Sequence, residues 1–464
     1  MCLDRFGVYV PVLNGELCTH CGLCLRVCPG LGFDYCGQHR RLHGGLPEHV
    51  ALGTYLACYT GYTTDEEVLR CSQSGGFVST LLLFCLEKGL IDGGVVTRWR
   101  ADSPLTPQTY IARNREEVLA AVGSKYNPVP ASEIVGTLLK EPGRFAFVGT
   151  PCQIQGLRKA EEVLPGLVDK IALYVGLHCL GVFTYHFHDQ ILHKAGLRRE
   201  ELTYFRHRDK ASGGWPCGMR LQDAAGRTYD LDPNNSRLWP RAYFTNWRCL
   251  LCFDKANEFS DVSCGDCRVP REHERFKREG YDLKKGLSEF VVRTERARHV
   301  VSWVMKEGRF VGHSADADSV SSSIRVSGKK LGLNTFRRVA RIFRVGVPQY
   351  GVRFVHSATE GTRTASLLRP WAIVSSCHYF LVFVLARYAG VRWILKRIPH
   401  RVLDAVNRRF QRGVEWIKYG RSSAIAIDVE NGRGGIPGNA SRCEVSSCET
   451  SRCPREETAG NHGN

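Results

Sequence analysis

The chain has 464 residues, enough for roughly two or three domains, and its 43% hydrophobic and 24% charged content is that of a globular protein. The formal net charge of +18 suits a nucleic acid, a membrane surface or an acidic partner, and 20 residues are cysteine. The opening MCLDRFGVYVPVLNGEL lacks a basic stretch followed by an apolar run, so no secretory signal is expected. A cytoplasmic chain is unsuited to a disulfide framework, and ligation becomes the default reading of clustered cysteines.

Residues 12–36 form a compact Cys- and Gly-rich segment. Within it LCTHCGLCLRVCPG sets Cys18, Cys21, Cys24 and Cys28 in the run C-x2-C-x2-C-x3-C, followed by Pro29, which is the bacterial ferredoxin spacing. Two-residue gaps let a tight loop wrap three irons of a cubane, Gly22 permits the positive φ such a loop needs, and Pro29 turns the chain away. Zinc usually takes two separated C-x2-C pairs rather than four consecutive cysteines, so the run reads as a [4Fe–4S] site. In two-cluster ferredoxins the fourth cysteine serves the other cluster, which leaves an outward role open to Cys28. Residues 37–65, rich in His, Gly and Tyr and weakly periodic, read as a linker or insertion.

From 66 to 311 apolar runs alternate with helical patterns. GGVVTR, RFAFVGT, KIALYVGLHC and LSEFVVRT read as strands, while SGGFVSTLLLFCLEKGL and TPCQIQGLRKAEEVL read as helices opened by turns. The alternation predicts an α/β domain with a mainly buried sheet. Residues 312–330, with SADADSVSSSIRVSG, read as a Ser-rich linker, 331–421 as a basic helical region, and 422–464 as a disordered tail. Much of the positive charge lies beyond Lys329, which assigns it to a C-terminal appendage rather than to the chemistry. The most apolar run, 371–391, is interrupted by His378 and Arg387 and reads as a buried or membrane-surface helix rather than a span. Cys443, Cys448 and Cys453 stand five apart and fit no ligand spacing.

A second set of cysteines follows apolar strands. Cys152 and Cys179 each stand just after one, where a parallel sheet presents its functional edge, and Cys249 and Cys252 form a C-x2-C pair. Either of the first two, taken singly, reads equally well as a buried apolar thiol. The pair together with Cys264 and Cys267 would also suit a zinc ribbon, so spacing does not choose the ion. With a ferredoxin run upstream, a second [4Fe–4S] cluster on Cys152, Cys179, Cys249 and Cys252 is the preferred reading, with Cys264 and Cys267 in reserve.

Seven motifs in order carry a family resemblance: CTHCGLCLRVCP (18–29), SQSGGFVSTLL (72–82), GSKYNPVP (123–130), FVGTPCQIQGLRK (147–159), GLHCLGVF (176–183), FRHRDKASGGWP (205–216) and CLLCFDKANEFSDVSCGD (249–266). The chain resembles the coenzyme F-420 hydrogenase/dehydrogenase beta-subunit family, which includes 7-hydroxymethyl chlorophyll a reductase, over about residues 12–311. The resemblance implies a bound FAD beside iron–sulfur clusters. Ser72, Ser74, Gly75 and Gly76 precede an apolar helix whose N-terminus offers N–H groups to a phosphate, although a plain N-cap explains them as well. Ser124, Lys125 and Tyr126 follow, Lys125 being suited to a pyrophosphate or a reduced flavin, or else an ordinary solvated lysine. Thr150 and Gln153 flank Cys152 at a strand-to-helix turn. Arg206, Arg208, Gly213, Gly214 and Trp215 resemble a flavin- or substrate-contacting loop, or a surface turn. The family's D-I-S-x-G-D stretch reads DVSCGDC here.

The expected function is an oxidoreductase relaying electrons between a one-electron carrier such as ferredoxin, one or two [4Fe–4S] clusters and FAD, to a small organic acceptor such as coenzyme F-420. His178 is the candidate general acid, Lys125 the second catalytic candidate, and the basic C-terminal region offers a peripheral membrane contact. The alternatives are a non-catalytic electron-transfer subunit of a larger hydrogenase or dehydrogenase and, remotely, a zinc-bearing nucleic-acid-binding protein; no nucleic acid is expected.

Overall fold

Apolar β-branched and aromatic runs dictate the centre of the molecule. A computed structural model describes residues 1–232, 243–342, 344–356, 397 and 425–429. In chain order the strands among them are β1 (Cys2–Leu3), β2 (Tyr9–Val10), β3 (Ala57–Thr63), β4 (Gly93–Trp99), β5 (Pro107–Ala112), β6 (Phe145–Gly149), β7 (Ile171–Leu177), β8 (Leu202–Asp209), β9 (Gly218–Asp223), β10 (Thr228–Leu231), β11 (Val262–Asp266), β12 (Ser288–Val292), β13 (Phe310–Ser314), β14 (Val352–His356) and β15 (Ile425–Val429). Eight form one mixed sheet in the order β13-β3-β12-β11-β7-β6-β4-β5. Its middle, β11, β7, β6 and β4, is parallel, and antiparallel strands flank it on both sides.

Both faces of that sheet are covered, which is why its strands are continuously apolar rather than alternating. On one face the helices Phe77–Glu87 and Glu295–Lys306 pack Phe77, Leu81, Val301 and Val304 on Leu173, Val175, Val262 and Phe290. On the other, Ile154 and Leu157 of the helix Pro151–Ala160 meet Phe145, Phe147 and Tyr174 together with Phe33 and Tyr35 from the N-terminal segment. A smaller antiparallel sheet, β10-β9-β8, closes its own core with Phe187, Ile191 and Leu192 of the helix His186–Ala195. The strands and the two helices expected between 66 and 311 are present with these bounds.

Three expectations are corrected. Residues 37–65 are no linker, since the helix Tyr35–His43 buries His39 in the core and β3 pairs with β12 and β13 inside the main sheet. The weak periodicity of ACYTGYT reflects a strand with neighbours on both sides. Residues 312–330 are no linker either. They complete β13, form the helix Ala317–Ile324 and begin the helix Val326–Ile342. Asp316 caps the first of these by accepting from Ser319 N–H at 2.8 Å, and Ala317, Val320 and Ile324 line its buried face. Serine composition was outweighed by the cap and this apolar spacing. Within the expected disordered tail, β15 pairs antiparallel with β14. The apolar run 371–391 and Cys443, Cys448 and Cys453 lie outside the described residues. No helix among the described residues is long and apolar enough to cross a membrane.

Candidate functional site

The parallel strands bring their C-terminal ends to one edge, and chemistry-bearing residues follow directly on several of them. After β6, Thr150 and Gln153 cap the helix Pro151–Ala160, Gln153 Oε1 accepting from Thr150 N–H at 2.8 Å and from its hydroxyl at 3.0 Å. Pro at the first helical position suits that turn. Cys152 stands in it, exposed, with Sγ 3.5 Å from Thr150 Oγ1. After β7 come His178 and Cys179. The loop carrying Cys249 and Cys252 is fastened to both strand ends by Asn257, whose Nδ2 donates to Gly149 O at 2.9 Å and to Leu177 O at 3.3 Å. Asn257 takes φ 59, a conformation asparagine tolerates better than most residues. Asp254 shapes the turn between, accepting from Asn257 N–H at 2.7 Å.

The result is a convergence of the four cysteines of the second set. Partial burial raises the thiols of Cys179, Cys249 and Cys252, and the four raise one another: Cys179 acts on Cys152, Cys252 on Cys179, Cys179 and Cys152 on Cys249, and Cys152 on Cys252. Cys252 is pushed up to about 11. Opposing this is one cation, Lys329, which lowers all four. Cys264 and Cys267, the reserve candidates, lie elsewhere: Cys264 among Phe290 and Val292, Cys267 among Leu287 and Val291.

The N-terminal cysteines lie against the same elements. Gly22, at φ 70, opens the one-turn helix Leu23–Arg26 between Cys21 and Cys28. Leu23 N–H and then the Thr19 hydroxyl lower the Cys21 thiol. Lys159, on the helix that begins beside Cys152, donates to Cys28 O at 3.0 Å and Gly32 O at 2.7 Å. A Cβ on Gly30 would stand 3.4 Å from Cys28 Sγ and 3.1 Å from Arg248 Nη1, next to Cys249. Both cysteine sets are therefore held by one helix and one loop. No three His, Cys, Asp or Glu side chains among the described residues close on a point at the distances a single metal ion demands. A cubane holds its four thiolates farther apart than one ion does, and four mutually interacting thiols with one cation are a donor set of that chemistry.

A second locus forms where the Ser72–Gly76 turn meets β8 and β11. Gln73 is its hub: Nε2 donates to Arg208 O at 3.0 Å and Oε1 accepts from the Ser124 hydroxyl. Arg208 donates to Gln73 O at 3.2 Å and pairs with Asp266 at 2.8 Å, while Arg206 holds Cys71 O at 3.2 Å. Ser74 Oγ lies 3.1 Å from Ser288 Oγ. Gly75 is demanded by packing, because a Cβ there would lie 2.2 Å from Gly61 O and 2.6 Å from Ser288 N. Gly76 is in the left-handed region, at φ 81, and caps the helix Phe77–Glu87. Half-buried Lys125 donates to Ala121 O at 2.5 Å, and desolvation followed by repulsion from Arg206 draws its ammonium down to about 7. Tyr126 instead packs on His207 and Phe183. Beside this hub an open cleft of about 1100 Å³ is lined by Arg70, Arg206, Lys210, Arg220, Lys284 and Lys285 against Glu66, Glu67, Asp209 and Asp282, with Gly214 on its wall. Its excess of cations suits an anionic, phosphate-bearing ligand.

His178 turns away from the cysteines. Its Nε2 lies 3.3 Å from Ser263 Oγ and its Nδ1 3.8 Å from Glu289 Oε1. Burial, then Arg293, lowers the imidazole to about 3, while burial raises the Glu289 carboxyl to about 8. The sequence reading missed Lys329, Asn257, Gln73 and Asp266; the last three stand inside quoted motifs, whereas no spacing marks Lys329.

Proteins similar to this mixed α/β chain are oxidoreductases, which supports an electron-transfer oxidoreductase role for it. The chain belongs to the coenzyme F-420 hydrogenase/dehydrogenase beta-subunit family, whose N-terminal model matches residues 58–136 and whose C-terminal model matches residues 143–318. It is 26% identical over 299 residues to the coenzyme F-420 hydrogenase subunit beta of Methanosarcina barkeri, covering 63% of this chain and 90% of that one. It is 27% identical over 329 residues to the coenzyme F-420-dependent sulfite reductase of Methanocaldococcus jannaschii, covering 64% and 47%. With the 7-hydroxymethyl chlorophyll a reductase of Oryza sativa identity is 27% over 335 residues, covering 66% and 64%. A chain from the F-420-reducing [NiFe] hydrogenase complex of Methanosarcina barkeri shares the fold with a TM-score of 0.50 at 21% identity, covering 64% of this chain and 97% of that one.

Proposed function

We propose that this chain is an iron–sulfur flavoprotein oxidoreductase that moves electrons between a one-electron carrier such as ferredoxin and an organic acceptor such as coenzyme F-420 or a related compound. The observation that carries the proposal is the meeting of Cys152, Cys179, Cys249 and Cys252 from three separate segments, beside the Cys18–Cys28 run and on the same sheet edge as a cationic cleft. When bound, the clusters supply one-electron steps and FAD converts between one- and two-electron chemistry. In this reading Cys18, Cys21, Cys24 and Cys28 hold one cluster and the second set another. Arg206, Lys210 and the backbone of Ser72–Gly76 bind and orient the flavin phosphates. Lys125, with its lowered affinity for a proton, holds or releases one beside the cleft.

The electron-transfer-subunit reading draws on a different observation. Val12, Leu13, Leu17 and Leu25 around the first cysteine run are all exposed, an apolar surface of the kind that partner subunits cover. Either way the N-terminal run is the entry point. The test is anaerobic reduction of the bound flavin by reduced ferredoxin, followed at the flavin absorbance. The proposal expects fast reduction in the native protein and a loss of at least tenfold in C249S/C252S with flavin still bound. Equal rates in the two proteins would overturn the route through the second set.

A further inference from the structure

Lys329 stands outside every motif of the sequence and beyond the family match, which ends at residue 318. It is brought to the second cysteine set by the helix Val326–Ile342, which is anchored by buried Val326 and Leu333. Lys329 Nζ donates to Cys179 O at 3.2 Å. Its neighbour Lys330, about 100° further round the helix, points elsewhere and pairs with Glu258 Oε1 at 2.7 Å. The same C-terminal stretch braces the rest of the site. Tyr350 OH donates to Leu251 O at 2.7 Å, between Cys249 and Cys252, and Phe33 N–H donates to Gln349 O at 2.8 Å just beyond the first cysteine run.

We infer that Lys329 is a positioning residue that sets the reduction potential of the cluster held by Cys152, Cys179, Cys249 and Cys252, by holding a fixed positive charge against the backbone of Cys179. The inference rests on the reading of those cysteines as cluster ligands. Four thiolates leave a ligated cluster anionic, and an incoming electron adds one more negative charge with no bond made or broken. A cation in a partly desolvated position favours that reduced state, and local charge and hydrogen bonding are established levers on cluster potentials. Removing the charge should therefore make the cluster harder to reduce without removing any ligand.

The test uses the full chain, reconstituted without oxygen. Iron and sulfide are first counted in the native protein and in C249S/C252S; unchanged iron in the double variant would refute the ligand reading and the inference with it. Dithionite titration followed by electron paramagnetic resonance then gives the midpoint of the second cluster in the native protein and in K329Q. The expected result is native iron content with a lower midpoint. At the native midpoint potential, the ratio of reduced to oxidised cluster should fall about tenfold, equivalent to ~59 mV for one electron. K329M, which keeps the aliphatic stem, gives the same reading should K329Q not fold. An unmoved midpoint at full iron content would overturn the inference. So would loss of iron from both variants, which would make the lysine a structural brace.

Discussion

Replacing Lys330 by methionine tests whether the C-terminal helix belongs to the core. Lys330 and Glu258 are both fully buried, with Nζ 2.7 Å from Oε1, and Glu258 Oε2 also accepts from Tyr35 OH at 3.0 Å and faces His39 Nε2 at 3.5 Å. Although burial opposes ionisation, Lys330 and then His39 hold the Glu258 carboxyl down at about 2. K330M keeps the stem and removes the charge, so the carboxylate is left buried without its partner. Breaking such a pair costs about 3–5 kcal/mol. At about 2 °C per kcal/mol for a domain of this size, Tm should fall by roughly 6–10 °C. E258Q in the same chain removes the orphaned charge and should recover a large part of the loss. Thermal melts and urea unfolding of the two single variants and the double variant supply the cycle. A K330M protein within about 1 kcal/mol of the native one, the range of an exposed pair, would refute the claim that this helix is integral.

Further expectations follow from other elements. G75A should lower stability by at least about 2 kcal/mol in urea titration, because the added methyl meets the backbone of β3 and β12 rather than a movable side chain. N257A should cost about 1–3 kcal/mol by the same assay and lower the iron content, since Gly149 O and Leu177 O lose the donor that ties the cysteine loop to their strands. Acid should destabilise the native protein through His188. Burial, then Arg199, depresses this imidazole to about 3, while in the unfolded chain it titrates near its ordinary value. The unfolded state therefore takes up the proton first, and its stabilising effect, complete well above pH 6.5, declines as pH falls toward 3. At pH 5 the loss is about 2 kcal/mol, and H188F should flatten that part of the stability–pH curve.

Much of this was legible in the residues. The runs GGVVTR, RFAFVGT and KIALYVGLHC declared the parallel centre because strands buried on both faces cannot hide their apolar content. Once Cys152 and Cys179 were placed after strands, their position at one sheet edge followed. Beyond the motifs, the chain spoke less clearly. The strand Ala57–Thr63 pairs on both sides, yet Gly61 and two threonines dilute its pattern, Gly61 because a Cβ there would strike Val311 O and Phe310 of β13. The helix Ala317–Ile324 is half serine and is fixed by its cap and by contacts distant in sequence. Lys329 illustrates the general difficulty. A lysine in a basic stretch has no local mark of function, and only the return of the helix across the Cys249–Cys252 loop gives its charge something to act on.

The most direct test of the central claim is the composition of the anaerobically purified chain: iron, sulfide, zinc and released flavin, with the visible spectrum. Two cysteine sets and a flavin site predict about eight irons and as many sulfides with one FAD, and a brown protein with flavin absorbance. A colourless protein holding zinc and no flavin would contradict the account.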